Sequence, residues 1–207
     1  MEYGKIETLY ERDAQTFKVR SGELKNRTYS LLKTWHWTEK VDGTNIRCIW
    51  DFTTKKLTFG GRSDNAQMHA DLLKWLCEHV SPAAMEFIFP ECNAVVYGEG
   101  YGAGIQKGGG EYSPEKRLIV FDVLAGDKWW LNDEGMRDVS RTLGLDAVPA
   151  IGEMSLEDAT EFVRAGFKSC CAVNVSKMAE GLVGRPLETL FDKKGHRLIT
   201  KLKTKDF

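Results

Sequence analysis

Hydrophobic residues recur along this chain at two spacings, and the switches between them mark its elements. Ile46, Cys48 and Trp50 alternate with Asn45, Arg47 and Ile49, and Leu57-Thr58-Phe59 returns after Thr53-Thr54-Lys55-Lys56. Residues 38–62 therefore read as a β-hairpin or meander. Asp42-Gly43, just ahead, is itself a hairpin turn signal, which places Lys40 on or beside a tight turn. Met68, Leu72, Trp75, Leu76 and His79 then follow helical spacing, with Ser63-Asp64 as the predicted start and Ser81-Pro82 as the stop. Val95-Val96-Tyr97 predicts a short strand running into Gly98-Glu99-Gly100-Tyr101-Gly102, and Leu118 to Leu124 a strongly apolar strand. After Trp129-Trp130-Leu131, Asn132 caps a helix that stops at Gly144. Ser155 with Asp158 resembles a capping box for a second helix, ended by Gly166. Val173-Asn174-Val175 is ambiguous. Glu180 to Gly184 and Arg197 to Lys203 read as closing strands, while residues 1–37 are mixed and polar up to Trp35-His36-Trp37.

Strands and helices are mixed without regular β-α-β alternation. That pattern predicts an α+β fold with antiparallel sheets and helices packed outside, rather than a doubly wound parallel sheet. The glycine-rich run Gly98 to Gly110 has no Walker spacing and no obvious helix after it, which argues against a P-loop or dinucleotide site.

Composition narrows the classes. A chain of 207 residues, 42% hydrophobic and 29% charged, can bury a substantial core and reads as a globular protein. A net charge of -1 supplies no global basic field, so any nucleic-acid contact must come from a local patch. The start has no apolar h-region and no window approaches a membrane span, so a cytoplasmic location is expected. The five cysteines (Cys48, Cys77, Cys92, Cys170, Cys171) contain no C-x-x-C pair, and the four histidines show no ligand spacing. Neither a disulfide framework nor a zinc site is indicated.

Three stretches carry candidate chemistry. In Glu39-Lys40-Val41-Asp42-Gly43-Thr44-Asn45, a lysine two residues before an Asp-Gly turn could serve as a covalent nucleophile toward a nucleotide phosphate. Asp42, Glu99 and Glu180 each lie beside glycine, at predicted strand-to-turn positions where backbone can approach a ligand. Between Lys193 and Lys205 the chain has six Lys/Arg and no acid. In an extended strand Arg197, Lys201, Lys203 and Lys205 share one face, with Leu198 and Leu202 on the other. Such a row is either a solvated edge strand or a phosphate cradle.

In order, the segments are Lys40-Val41-Asp42-Gly43, Arg62, Tyr97-Gly98-Glu99, Leu118 to Asp122, Glu180-Gly181-Leu182-Val183 and Lys201-Leu202-Lys203. Together they resemble the covalent nucleotidyltransferase superfamily of DNA ligases, RNA ligases and mRNA capping enzymes, with its motifs I, Ia, III, IIIa, IV and V in register across residues 38–203. The chain looks most like RNA ligases of the phage RNA ligase 2 type. Asn45 follows Gly43-Thr44, where the other branches usually carry arginine. Gly98 to Gly108, with Ile105-Gln106-Lys107, is similar to that branch's glycine-rich motif.

The resemblance implies an ATP-grasp-like nucleotidyltransferase fold over one domain, 1–207, and an ATP-dependent RNA ligase of the RNA repair kind. Lys40 would attack the α-phosphate of ATP, expelling pyrophosphate and leaving lysyl-AMP. Lys201, Lys203 and a bound Mg²⁺ (or Mn²⁺) would lower the pKa of its amine. Arg62 and Asn45 would hold ribose or phosphate oxygens, and Glu99 the ribose hydroxyls or a metal. Phe121 would stack on adenine unless it is a core residue, and the backbone around Glu39 would read the adenine edge. Glu180 would ligate the metal, and Lys201 and Lys203 would neutralise phosphate charge. Asp42 stays open between turn geometry and catalysis.

AMP would then pass to a 5′-phosphorylated end, and a 3′-hydroxyl would displace it. The expected partners are nucleic-acid ends, RNA in preference to DNA, met by a monomer that does not touch a membrane. The sequence runs four residues beyond Lys203, so the expectation is a catalytic domain without an OB-fold or other C-terminal domain. Affinity then rests on a local basic face or on an accessory protein. A minimal ATP-dependent DNA ligase and a non-catalytic nucleic-acid-binding module remain as alternatives.

Overall fold

The computed structural model describes residues 1–16 and 18–207. In chain order these form β1 (Glu7–Thr8), β2 (Tyr10–Arg12), β3 (Val19–Leu24), a 3-10 turn at Arg27–Leu31, β4 (Trp35–Glu39), β5 (Thr44–Asp51) and β6 (Lys56–Gly60). Helices α1 (Ala70–His79) and α2 (Pro82–Ile88) follow, then β7 (Ala94–Tyr101), the single turn α3 (Gly109–Tyr112), β8 (Arg117–Ala125) and β9 (Trp129–Trp130). The chain closes with α4 (Asp133–Thr142), β10 (Asp146–Ala147), β11 (Ala150–Met154), α5 (Leu156–Ala165), β12 (Gly181–Arg185) and β13 (Thr200–Lys203). The mixed, largely antiparallel α+β class is as the sequence pattern predicts. Among the described residues no helix is long and apolar enough to cross a membrane.

The chain divides into two compact units. The first comprises residues 1–4, 42–148 and 172–174, and the second residues 5–41, 149–171 and 175–207. The first is built on a sheet of order β10-β8-β7-β5-β6, with β9 added to β8. Its pairs are antiparallel except β10 with β8. Even-numbered positions of β5 (Ile46, Cys48, Trp50) point to a core shared with Leu72 and Leu76 of α1, Met85 of α2 and Met136 and Val139 of α4. Period two therefore sends Asn45, Arg47 and Ile49 to the opposite face. The β5–β6 hairpin turns at residues 52–55, where Lys55 takes a positive φ of 55°. Helix α4 starts as predicted: the Asn132 side chain accepts from the Gly135 amide (3.0 Å), and Gly144 (φ +69°) follows its end.

The second unit's sheet runs β1-β13-β12-β4-β11, antiparallel except β1 with β13, and β2 and β3 form a separate ribbon. Helix α5 packs on β11, β12 and β13. Its start is capped by the predicted Ser155, whose Oγ accepts from the Asp158 amide (3.1 Å) and donates to the Asp158 carboxylate (2.8 Å). Trp35, Trp37, Leu182 and Leu202 from the sheet meet Leu156, Ala159 and Val163 of α5 in the core.

Several sequence expectations are corrected. Asp42-Gly43 closes no hairpin, because β4 pairs with β11 and β12 while β5 pairs with β6 and β7. Gly43 is needed for a different reason: a Cβ there would lie 2.2 Å from the Gly100 carbonyl oxygen. The first helix opens at His69, not Ser63-Asp64, and Ser81-Pro82 starts α2 rather than only ending α1, with Ser81 Oγ capping the Ala84 amide. A single helical turn, α3, begins within the end of the glycine run. Val173 to Val175, ambiguous in the sequence, is irregular. Lys205 lies in a 3-10 turn past β13, and β13 has neighbours on both sides, so it is not an edge strand.

Trp37 anchors the second unit. It is 0% exposed, its indole N–H donates to the Met154 carbonyl (3.2 Å), and a Cβ on Gly184 would approach its ring to 2.5 Å. Trp37→Ala is expected to cost about 3–5 kcal/mol. Gly184→Ala should also destabilise, through overpacking. Urea denaturation followed by far-UV circular dichroism measures both.

Candidate active site

Strand β4 ends at Glu39, and Lys40 leaves the sheet with its amide still donating to the Gly181 carbonyl (2.9 Å). Strands β12 and β13 run antiparallel, with Gly181 opposite Lys203 and Val183 opposite Lys201. Along β13, Thr200 and Leu202 are buried and Lys201 and Lys203 are half-buried on the other face, so the predicted alternation holds for these two lysines. Gly181 has φ +151°, and a Cβ on it would lie 2.0 Å from the Leu202 carbonyl oxygen. Only glycine allows β12 to start against β13 directly after Glu180.

These placements converge on one carboxylate. Lys40 Nζ donates to Glu180 Oε2 at 2.5 Å, and Lys203 Nζ to Glu180 Oε1 at 2.7 Å. The Lys40, Glu180 and Lys203 side chains are 20%, 15% and 21% exposed. Burial acts to raise the Glu180 pKa, but the charges and hydrogen bonds of Lys40 and Lys203 outweigh it and hold the group below the ordinary 4.5. The resemblance implies cations around Lys40, whereas in the structure a carboxylate is in direct contact with its amine. Lys201 lies on the same strand face as Lys203, two residues away.

Glu39 is the second acid here, 1% exposed at the end of β4. Its carboxylate accepts from Ser169 Oγ (2.5 Å), the Cys170 amide (2.7 Å) and Cys171 Sγ (3.5 Å). Nothing in the spacing of Ser169 pointed to this contact.

In the first unit, Asn45 and Glu99 face each other across the β5–β7 register. Glu99 is inside β7 and not at a strand-to-turn position as predicted. A bulge separates the pairs Tyr97–Asp122 and Gly98–Val120, leaving Phe121 as the extra residue of β8. Bulges re-aim side chains. Phe121 stays half-buried on the face that carries Asn45 and Glu99, with its ring 5.2 Å from that of Tyr3 at 71°. Asp122 is fully buried beside it and accepts from the Tyr3 hydroxyl (2.8 Å).

Arg62 is exposed in the turn after β6. That turn is held from beneath by Arg47, 2% exposed, whose Nε donates to the Gly61 carbonyl (2.6 Å) and whose second nitrogen donates to Asp64 (2.8 Å). In the sequence Arg47 stands out only as a strand position. Gln106 Nε2 donates to the Gly43 carbonyl (2.9 Å), which fixes the segment after Lys40 and Asp42. Among the described residues no group of three or more His, Cys, Asp or Glu could hold a metal by itself.

The chain matches the family model for RNA ligase over residues 33–203, well over half of its length. The chain belongs to the RNA ligase family. Its fold is that of solved family structures. A Naegleria gruberi RNA ligase mutant with ATP and Mn superposes with a TM-score of 0.68 at 19% identity, covering 98% of this chain and 62% of that one. Another mutant of that ligase, with AMP and Mn, gives 0.66 at 16% identity, covering 96% and 61%. The Naegleria gruberi ligase with PPi gives 0.60 at 19% identity, covering 83% and 49%. At these identities the likeness establishes the fold, and the chain spans about half to three-fifths of those proteins' length. The comparison with curated protein sequences yields no match.

The Glu180 contacts set a pH dependence. Unfolded, the carboxyl titrates near 4.5 and folded below that, so near that pH the unfolded chain binds more protons and stability rises with pH. The contribution is fully present above the unfolded value and is lost as pH falls through the folded one. Glu180→Gln should therefore cost about 1–3 kcal/mol at neutral pH. The difference from wild type should close on acidification below the ordinary carboxyl range. Urea titrations at neutral and acid pH test this, and a gap that stays constant would contradict it.

Proposed function

We propose that this chain is the catalytic domain of an ATP-dependent RNA ligase, which joins 3′-hydroxyl and 5′-phosphate ends through lysyl-AMP on Lys40. The observation that carries this reading is the Lys40–Glu180–Lys203 arrangement, in a chain matched by the RNA ligase family across both compact units. On this reading residues 1–207 act as one nucleotidyltransferase domain, of which the family match covers 33–203. The Naegleria gruberi structures with ATP and Mn and with AMP and Mn support ATP as the nucleotide and a divalent ion as its companion.

Lys40 starts as a hydrogen-bond donor to Glu180. Before attack it must give up a proton and turn its lone pair from the carboxylate to the α-phosphorus; Glu180 Oε2 is the nearest acceptor. A nitrogen–phosphorus bond then forms, the bond from the α-phosphorus to the bridging oxygen breaks, and its electron pair leaves with pyrophosphate. Lys203, released from Glu180, and Lys201 offset the charge on the phosphate oxygens, the kind of electrostatic positioning on which such transfers depend.

The ionised Glu180 fits Mg²⁺ or Mn²⁺, which share their shell between one or two carboxylates, phosphates and water. Such an ion would neutralise phosphate charge, with Glu99 as a second candidate ligand. Asn45 and Glu99, opposite one another, suit ribose hydroxyls. Phe121 suits the adenine face, Arg62 the phosphate oxygens, and the backbone around Glu39 the adenine edge. The same domain would transfer AMP to a 5′-phosphate end, and a 3′-hydroxyl would displace it. The substrate is RNA in preference to DNA, bound by a monomer that could draw further affinity from an accessory protein.

Incubation with α-labelled ATP and Mg²⁺ should leave label on denatured wild type and none on Lys40→Ala, at least a ~10³-fold loss for removal of the nucleophile. Wild type without label would favour a non-catalytic binding module. Nicked duplexes with a 3′-terminal ribose should be sealed faster than all-DNA nicks, and equal rates would favour a minimal DNA ligase.

A further inference from the structure

Glu39 has a burial that the reading above does not use. A carboxylate this deeply buried is costly unless its oxygens are hydrogen-bonded. The donors that reach it are a hydroxyl, an amide and a thiol from three consecutive residues, Ser169, Cys170 and Cys171. The loop that carries them is closed at its base. Lys168 bridges to Met178, the Ser169 amide donates to the Lys177 carbonyl (2.9 Å), and the Ala179 amide donates to the Phe167 carbonyl (2.9 Å). The Cys171 amide bonds back to Ser169 Oγ (3.3 Å), so Ser169 organises the tip as well as gripping Glu39. Burial pushes the Cys171 thiol up to about 12, with the Glu39 charge adding to the effect, and the thiol stays a protonated donor. On the backbone side, the Glu39 amide donates to the Pro149 carbonyl (2.9 Å) and the Lys40 amide to the Gly181 carbonyl (2.9 Å). The Glu39–Lys40 peptide is therefore fixed through both its backbone and the Glu39 side chain.

We propose that Ser169 is a positioning residue for lysine adenylylation: through Glu39 it fixes the peptide from which Lys40 delivers its amine. This rests on the adenylylation reading of Lys40. A nucleophile misplaced by about 1 Å can lose about 10²-fold in rate. Ser169 acts on the frame of Lys40 and not on the reacting atoms, so its loss should affect the chemical step more than ATP capture.

The test compares wild type with Ser169→Ala and Ser169→Thr. At saturating labelled ATP, Ser169→Ala should form lysyl-AMP about 10- to 100-fold more slowly. The KM for ATP should be nearly unchanged, the melting temperature should fall in Ser169→Ala because the buried Glu39 carboxylate loses its hydroxyl donor, and Ser169→Thr, which keeps the hydroxyl, should recover most of the rate and of the stability. A second readout needs no ATP. Iodoacetamide alkylation of Cys171, located by peptide mass spectrometry, should speed up in Ser169→Ala and Glu39→Gln and not in Lys40→Ala. A labelled wild type with unchanged Ser169→Ala rates overturns the proposal. So do equal losses in the Ala and Thr variants accompanied by a fall in melting temperature. An unlabelled wild type overturns the adenylylation reading and this role with it, and faster Cys171 alkylation in Ser169→Ala would then show that the grip on Glu39 itself is real.

Discussion

One carboxylate between two ammonium groups holds the candidate site together. Without Glu180, Lys40 and Lys203 would be two half-buried like charges, one just past the end of β4 and the other on β13, with β12 between those strands. Unit charges about 4 Å apart interact by about 4 kcal/mol at the effective dielectric of a protein surface. With Glu180 the three groups carry a net single positive charge, and every hydrogen bond among them is charge-assisted. The local backbone is shaped for this contact. Glu180 is the last residue before β12, its carbonyl accepts from the Thr204 amide (2.9 Å) just past β13, and Gly181 removes the side chain that would hold the two strands apart.

Each sheet fixes its functional residues by the same device, an apolar face that cannot be rotated away. In the second unit, Leu182 and Leu202 are committed to the core with Trp35 and Trp37, so Lys201 and Lys203 must project from the other side of β13. In the first, Ile46, Cys48 and Trp50 are committed to the helices, which sends Asn45 to the face shared with Glu99. A register slip of one residue would invert either set, and it would bury charges to do so. The bulge at Phe121 is a local exception, leaving an aromatic half-buried amid an otherwise buried strand.

What could be read from the sequence was local. Alternation over Asn45 to Trp50, the Asn132 and Ser155 caps and the Gly144 and Gly166 stops depend on neighbours within a few residues, and all of them hold. What failed depends on choices made far along the chain. Asp42-Gly43 is good hairpin chemistry, but the strands on either side find more distant partners. Ser63-Asp64 looks like a helix cap, but the Asp64 side chain is taken by Arg47, seventeen residues earlier. Lys40, Lys201, Lys203 and Glu180 were identified by their order in the chain. Their mutual arrangement was not, because Lys40 and Glu180 lie 140 residues apart and a pattern of spacings gives no sign of which charges will touch. The Ser169 loop had no signal at all, since a serine before two cysteines is chemically ordinary until a buried acid meets it.

The ion pair also bears on how such a site could be switched on by its own ligands. As folded, Lys40 is held by Glu180 and cannot serve as a nucleophile while its lone pair is occupied by a proton. On the proposed reading, triphosphate oxygens offer Lys203 a more highly charged partner than the carboxylate it holds now. When Lys203 moves to them, Glu180 Oε1 becomes available to a divalent cation, and a carboxylate shared with that cation is a weaker partner for the Lys40 ammonium. The resting contact would then be undone by the same ligands that need a free amine, and in their absence the lysine stays protected. On that reading the Glu180 contact would tie the reactivity of Lys40 to the nucleotide, and both side chains start from neighbouring strand ends.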